Sequence, residues 1–138
     1  MQGQLERKAR EAGVLPRVHF TGYLKDLEKA SAYHAADLVV VPSRHEAMSL
    51  VALEAGACRK PVILTDQCGF DEVESVRGGI VVPATADAIA AAIVRMLGHE
   101  NERVRSGERL YELVRSRYTW TEAARRYGEI FDSVRNRA

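Results

Sequence analysis

The chain is poor in cysteine and in long apolar runs, and each shortage excludes a class of protein. Its only two cysteines, Cys58 and Cys68, are too few for a disulfide-stapled secreted domain, so we expect reduced thiols and no bridge between them. No apolar run reaches ~18 residues, so the sequence contains no membrane-spanning helix. The first eight residues lack the apolar centre of a secretory signal. We therefore expect a cytoplasmic location.

Basic and acidic residues are nearly balanced in number. The formal net charge is therefore only +1, which provides no broad basic surface and argues against nucleic acid as a partner. The histidines have no neighbours at metal-ligand spacing, so we expect neither a metal site nor a bound cofactor. With 138 residues and 46% hydrophobic content, the chain can bury one core. We therefore treat residues 1–138 as a single domain.

Apolar strand candidates alternate with helical patterns along the chain. The strand candidates are Arg17 to Thr21, Leu38 to Val41, Pro61 to Thr65 and Gly79 to Val82. The helix candidates are Gln4 to Ala12, Leu27 to Ala35, Ser49 to Ala57, Ala86 to Leu97 and two more at the C-terminus. This alternation is typical of an α/β fold, and it predicts a Rossmann-like parallel sheet of about four strands with flanking helices. Ligands of such sheets bind beyond the carboxyl ends of the strands.

Two glutamates, Glu46 and Glu54, flank the junction between a loop and a helix. The apolar run to Val41 is stopped by Pro42, and helical spacing begins near Ser49. The unpaired amides at that helix start attract phosphate, and carboxylates beside a phosphate pocket accept hydrogen bonds from sugar or ribose hydroxyls. The alternative is that both glutamates are solvated surface residues. Spacing alone favours this alternative.

The longer run PSRHEAMSLVALEAGACRKPVILTDQCGF, residues 42–70, changes that balance. It resembles the donor-binding signature of group 1 (family 4 type) retaining glycosyltransferases with the GT-B fold. The resemblance extends to VHFTGY at 18–23, GGIVVP at 78–83, and the tail with Tyr118, Trp120 and Tyr127. It implies that the chain is part of the C-terminal, donor-binding domain of an enzyme that transfers a hexose from a nucleotide diphosphate sugar to a glycan or lipid acceptor, without a metal ion. A membrane-peripheral location is open for such a full-length enzyme.

The resemblance also implies a role for individual residues. Glu46 would bind hydroxyls of the donor hexose at the reacting centre, and Glu54 would hold the ribose. The backbone at Ala47, Met48, Ser49 and Leu50 would meet the diphosphate, although the commonest form of the motif has glycine where this chain has Ala47 and Ser49. Ser49 is also a candidate helix N-cap. The loop of Gly22, Tyr23 and Leu24 would lie against the nucleobase. Further candidates near the site are His45, Arg44 and Glu72.

The resemblance covers only the later part of a C-terminal domain. The acceptor-binding N-terminal domain, and a Gly-Arg and Lys that neutralise the diphosphate in this family, have no counterpart in the sequence. We therefore expect this chain alone to be inactive, with the missing domain as its partner. Two alternatives stay open: a non-catalytic nucleotide-sugar-binding module that works with a partner chain, and a fragment of a GT-B nucleotide-sugar epimerase.

The missing strands affect the expected sheet. In the doubly wound order 3-2-1-4-5-6, two absent strands would lie between the strand at Arg17 and the strand at Leu38. We therefore expect either a rearranged four-stranded sheet or a homo-oligomer formed by strand exchange through exposed edges. At the C-terminus, the stripe of Trp120, Tyr127 and Phe131 would be partly exposed without a second domain.

Overall fold

A three-stranded parallel sheet forms the centre of the fold, which a computed structural model describes for residues 2–135. The strands are β1 (Val39–Val41), β2 (Val62–Thr65) and β3 (Gly79–Val82), and they lie side by side in the order β1-β2-β3. Val40, Ile63 and Ile80 are aligned across the sheet. All four residues of β2 are buried, as expected for a central strand covered on both faces.

Seven helices surround the sheet or extend from it within the described residues. They are α1 (Gln2–Glu11), α2 (Asp26–Ala35), α3 (Leu50–Ala57), α4 (Glu72–Ser75), α5 (Ala86–Gly98), α6 (Glu100–Arg117) and α7 (Trp120–Arg135). The predicted helices are confirmed to within two residues at their ends. The predicted α/β class, with two successive C-terminal helices, is likewise confirmed.

The sheet separates two apolar layers because successive side chains of a strand point to opposite faces. Val62 and Leu64 pack against α3, α4 and α6 in the larger cluster, which includes the fully buried Leu110. Ile63 points the other way and packs against Ala92 and Met96 of α5. The position of α3 is thus determined by the sheet below it and by α6 beside it.

Glycines allow α3 and α6 to approach closely. A Cβ on Gly107 of α6 would lie 2.9 Å from the carbonyl carbon of Arg59, just after α3. A Cβ on Gly56 of α3 would lie 2.8 Å from side-chain atoms of Leu110 and Val114. Close contact at both positions fixes the height of α3 above the sheet.

The prediction of a strand from Arg17 to Thr21 is wrong. A short 3₁₀ helix covers Leu15–Arg17, and residues 18–21 belong to no strand. A strand needs a neighbour to accept its backbone hydrogen bonds, and none of the described residues supplies one. The other three strands keep their sequential order, so the expected rearrangement into a four-stranded sheet is also wrong. Strand exchange between copies stays a prediction.

The exposed stripe on the last helix is confirmed. Trp120 is 92% exposed, and Tyr127 and Phe131 are 63% and 69% exposed. No residue of α7 is buried within the described part of the chain. This helix therefore extends from the domain without taking part in its core.

Candidate functional site

The loop that carries Glu46 is hydrogen-bonded to the end of β2 and to the segment that follows it. The Thr65 hydroxyl donates to the Ser43 carbonyl at 2.5 Å, and the Glu46 amide donates to the Gln67 carbonyl at 2.9 Å. The buried Cys68 thiol lies 3.5 Å from the Val41 carbonyl, beneath the start of the loop. These contacts fix the path of residues 42–48, which we call the Glu46 loop.

Gly69 makes the closest approach to this loop. Its φ of +57° lies in the left-handed region, and a Cβ there would lie 2.8 Å from the Ala47 carbonyl carbon and closer still to its oxygen. Only glycine satisfies both conditions without strain. The sequence shows only a glycine before Phe70. The contact of this glycine with the Glu46 loop arises from the tertiary structure, so no local pattern indicates it.

Glu46 has one carboxylate oxygen, Oε2, that is buried and has no hydrogen-bond partner among the described residues. Buried acceptors are nearly always paired in folded proteins. The Glu46 side chain therefore has the capacity to accept a hydrogen bond that the protein itself does not supply.

The start of α3 presents unpaired amides. Ser49 is the N-cap, as predicted: its fully buried side-chain oxygen accepts from the Ala52 amide at 3.3 Å. Within residues 2–135, the amides of residues 47–51 donate to no backbone or side-chain acceptor. Together with the helix dipole, these donors form an end that favours an anion.

Glu54 lies within α3 and is paired with two side chains of α2. Lys29 Nζ donates to its Oε1 at 2.5 Å, and the Tyr33 hydroxyl donates to its Oε2 at 2.9 Å. Burial acts to raise the pKa of the Glu54 carboxyl, but the hydrogen bonds from Lys29 and Tyr33 outweigh it, so the pKa lies below its ordinary value. The same hydrogen bond raises the pKa of Lys29. Glu54 is therefore a carboxylate at neutral pH.

An open cavity of about 640 Å³ joins several of the predicted site residues. The predicted nucleobase loop of Gly22, Tyr23 and Leu24 forms one side, and Leu50 and Glu54 of α3 line it as well. Leu38, just before β1, and Val39 and Val40 of that edge strand complete the wall. The structure thus brings together residues that are more than 25 positions apart in the sequence.

Other candidates do not line this cavity. Glu46, Ala47, Met48 and Ser49 precede α3 and lie outside its lining, as do Arg44 and His45. Glu72 begins α4, and its carboxylate accepts hydrogen bonds from Arg117, at 2.6 Å, and from the Tyr118 hydroxyl. The hydrogen bonds from Tyr118 and Arg117 lower the pKa of Glu72. Its observed contacts therefore tie α4 to the end of α6.

Lys29 and Tyr33 were missed in the sequence analysis. Their spacing of four residues places them on one face of α2, but nothing local indicates that this face meets Glu54. No group of three potential metal ligands occurs among residues 2–135. None of the helices in this described part has the length and apolar character to cross a membrane.

The fold is a Rossmann-like α/β domain, and the cavity lies along the outer edge of its sheet, beside Leu38, Val39 and Val40. Residues 1–99 match the family described as "Glycosyl transferases group 1". The chain therefore belongs to the group 1 glycosyltransferases and has the fold of part of a GT-B enzyme.

Individual relatives agree with this family. D-inositol 3-phosphate glycosyltransferase of Corynebacterium kroppenstedtii is 32% identical over 133 residues, which is 95% of this chain and 29% of the relative. Sucrose-phosphate synthase of Thermosynechococcus elongatus superposes with a TM-score of 0.83 at 31% identity, over 98% of this chain and 34% of that protein. The C-terminal domain of a group 1 glycosyltransferase from Francisella tularensis gives a TM-score of 0.76 at 29% identity, over 86% and 63% of the two chains. The chain thus spans about a third of its full-length relatives.

Proposed function

We propose that this chain is the donor-binding part of a retaining glycosyltransferase, which transfers a hexose from a nucleotide diphosphate sugar to a glycan or lipid acceptor. The observation that carries the proposal is the cavity shared by the Gly22–Leu24 loop, the first turn of α3 and Glu54. A volume of about 640 Å³ lies in the range of small-molecule sites. Membership of the family supports transfer chemistry, and the cavity supports the donor as its ligand.

The parts of a nucleotide diphosphate match the parts of the site in order. The base would lie beside Tyr23, a residue that is 85% exposed and whose aromatic ring would stack on it. The ribose would donate its hydroxyl hydrogens to Glu54. The diphosphate would accept hydrogen bonds from the free amides at the start of α3, which favours a negative charge.

The hexose would then lie toward the Glu46 loop. The unpaired Oε2 of Glu46 is an acceptor for a sugar hydroxyl, and such a bond would remove the cost of leaving it unpaired. Because this oxygen is shielded and Glu46 does not line the cavity, donor binding must shift the loop. In the proposed reaction Glu46 positions the sugar, while the departing diphosphate stabilises charge on the face where the acceptor attacks.

Residues 1–138 contain one α/β domain, and the family's reaction takes place between two. We therefore propose that this chain binds a donor weakly and does not transfer its sugar without a partner domain. The absence of a Gly-Arg and Lys pair at the diphosphate would lower affinity by on the order of a hundredfold, since charge-assisted hydrogen bonds contribute about 1.5–3 kcal/mol each.

The proposal is tested by NMR titration of the ¹⁵N-labelled chain with uridine, guanosine and adenosine diphosphate sugars. We expect saturable shifts at Tyr23, Leu50 and Glu54 with at least one donor in the low-millimolar range. Glu54→Gln should weaken that binding by about tenfold. The matched control is Glu102→Gln, which alters an exposed carboxylate of α6 that pairs with Arg95. Absence of saturable shifts with all three donors contradicts the proposal.

A further inference from the structure

Helix α2 contributes two side chains to the rim of the cavity beside Glu54. Lys29 and Tyr33 lie four residues apart, so both project from one face of the helix toward α3. Both also line the cavity. Their position raises the question of what they do for a ligand held there.

Each of the two side chains donates a hydrogen bond to a different oxygen of the Glu54 carboxylate. Lys29 Nζ lies 2.5 Å from Oε1 of Glu54, and the Tyr33 hydroxyl lies 2.9 Å from Oε2. An ionised carboxylate offers about four acceptor sites, two on each oxygen. After these two bonds, each oxygen keeps one free acceptor site. Two adjacent acceptor sites on a carboxylate of fixed orientation match the two neighbouring hydroxyls of a ribose.

We propose that Lys29 and Tyr33 are positioning residues that make Glu54 specific for ribose, by fixing both of its oxygens from the α2 side. This inference deepens the donor-binding function proposed above and rests on it. Fixing the carboxylate before the ligand arrives removes an ordering cost from binding, so the two ribose hydroxyls meet acceptors already in place. A ligand without these hydroxyls gains nothing from the arrangement.

A purely structural role for the contact would give a different result. The side chains of Lys29 and Glu54 are 43% and 39% exposed, and ion pairs at such exposed positions contribute little to stability. If the contact only joined α2 to α3, its loss would weaken the binding of every nucleotide equally. The positioning role instead predicts a change in the preference for ribose over deoxyribose.

The test is a competition between two forms of one nucleotide on the 138-residue chain. Among UDP, GDP and ADP, the one that binds best is compared with its 2′,3′-dideoxy form by NMR titration. We expect the wild-type chain to prefer the ribose form by about tenfold or more. Lys29→Met and Tyr33→Phe should each reduce this preference by several-fold, and the double variant should abolish it. Affinity for the dideoxy form should stay the same in all of them.

Conservative and remote variants separate positioning from loss of structure. Lys29→Arg should retain most of the preference because a guanidinium still donates to the carboxylate. Arg95→Met breaks an exposed ion pair between α5 and α6, and Tyr111→Phe removes a hydroxyl of α6; both lie outside the cavity and should leave the preference unchanged.

Three results would overturn the inference. If the wild-type chain prefers ribose but Lys29→Met and Tyr33→Phe keep the full preference, the positioning role is wrong and the donor-binding function stands. The same conclusion applies if both forms lose affinity in equal measure. If the wild-type chain binds none of the three nucleotides, the proposed function fails together with the inference.

Discussion

Substitution of Gly69 by alanine tests how the Glu46 loop is held. A Cβ at this position would lie 2.8 Å from the Ala47 carbonyl carbon, and the φ of +57° adds a backbone penalty for most residues that carry a Cβ. The left-handed backbone costs about 1–2 kcal/mol for alanine. Relief of the clash requires the two segments to separate, which would break the hydrogen bond from the Glu46 amide to Gln67, at about 0.5–1.5 kcal/mol.

These contributions predict that Gly69→Ala lowers the free energy of unfolding by about 2–3 kcal/mol. Urea denaturation followed by circular dichroism measures this change. Gly69→Asn is the matched variant, because asparagine tolerates the left-handed region but carries the same Cβ. We expect Asn to recover only part of the loss. If Asn restores full stability, or if Gly69→Ala costs less than about 1 kcal/mol, the close approach to Ala47 does not limit this position.

Three further measurements examine other parts of the structure. Gly107→Ala should lower the free energy of unfolding by about 1–3 kcal/mol through overpacking against the end of α3. Gly98 has open space around it, so Gly98→Ala should be neutral or slightly stabilising. Urea denaturation measures both variants, and equal effects would contradict the close packing of α3 on α6. The pKa of the Glu72 carboxyl is lowered in the folded chain, so the stability that Glu72 contributes is present above the ordinary carboxyl pKa of 4.5 and is lost as the pH falls below 4.5. Burial and the hydrogen bond to Glu72 raise the pKa of the Tyr118 hydroxyl to about 12, so the stability that Tyr118 contributes is lost as the pH rises from 10 to 12. Glu72→Gln should flatten both limbs in pH-dependent thermal denaturation, and unchanged limbs would show that the pair contributes nothing. Trp120, the only tryptophan, should emit near the wavelength of free tryptophan, with little shift on unfolding; a clearly blue-shifted native spectrum would show that α7 is covered.

Local patterns were sufficient to predict most of the fold. The apolar runs that became β1, β2 and β3 are short and bounded by Pro or Gly, and α3 has the expected cap, Ser49, whose side chain accepts from the Ala52 amide. The strand expected from Arg17 to Thr21 failed because a strand is a property of a pair. Its residues carry the right pattern, but no neighbour among the described residues accepts its hydrogen bonds.

The site was only partly accessible from the sequence. Spacing predicted the start of α3 to within one residue and placed Glu54 inside that helix, because both depend on one helix and its cap. The partners of Glu54 could not be found this way, since Lys29 and Tyr33 lie 25 and 21 residues away and reach it only through packing. For the same reason, spacing could not show that the Glu46 loop is held by contacts with Gln67 and Gly69, or that Glu46 lies outside the wall of the cavity.

The burial of Cys68 provides a natural reporter of motion at the binding site. Its sulfur lies beneath the Glu46 loop and is almost completely shielded, whereas Cys58 is partly accessible and serves as a reference within the same molecule. The residues on both sides of Cys68 contact the Glu46 loop, since Gln67 accepts from the Glu46 amide and Gly69 lies against Ala47, so we expect lifting of the loop to raise the labelling rate of this sulfur. A donor that stabilises the lifted loop would therefore accelerate labelling, and one that holds it down would protect the thiol.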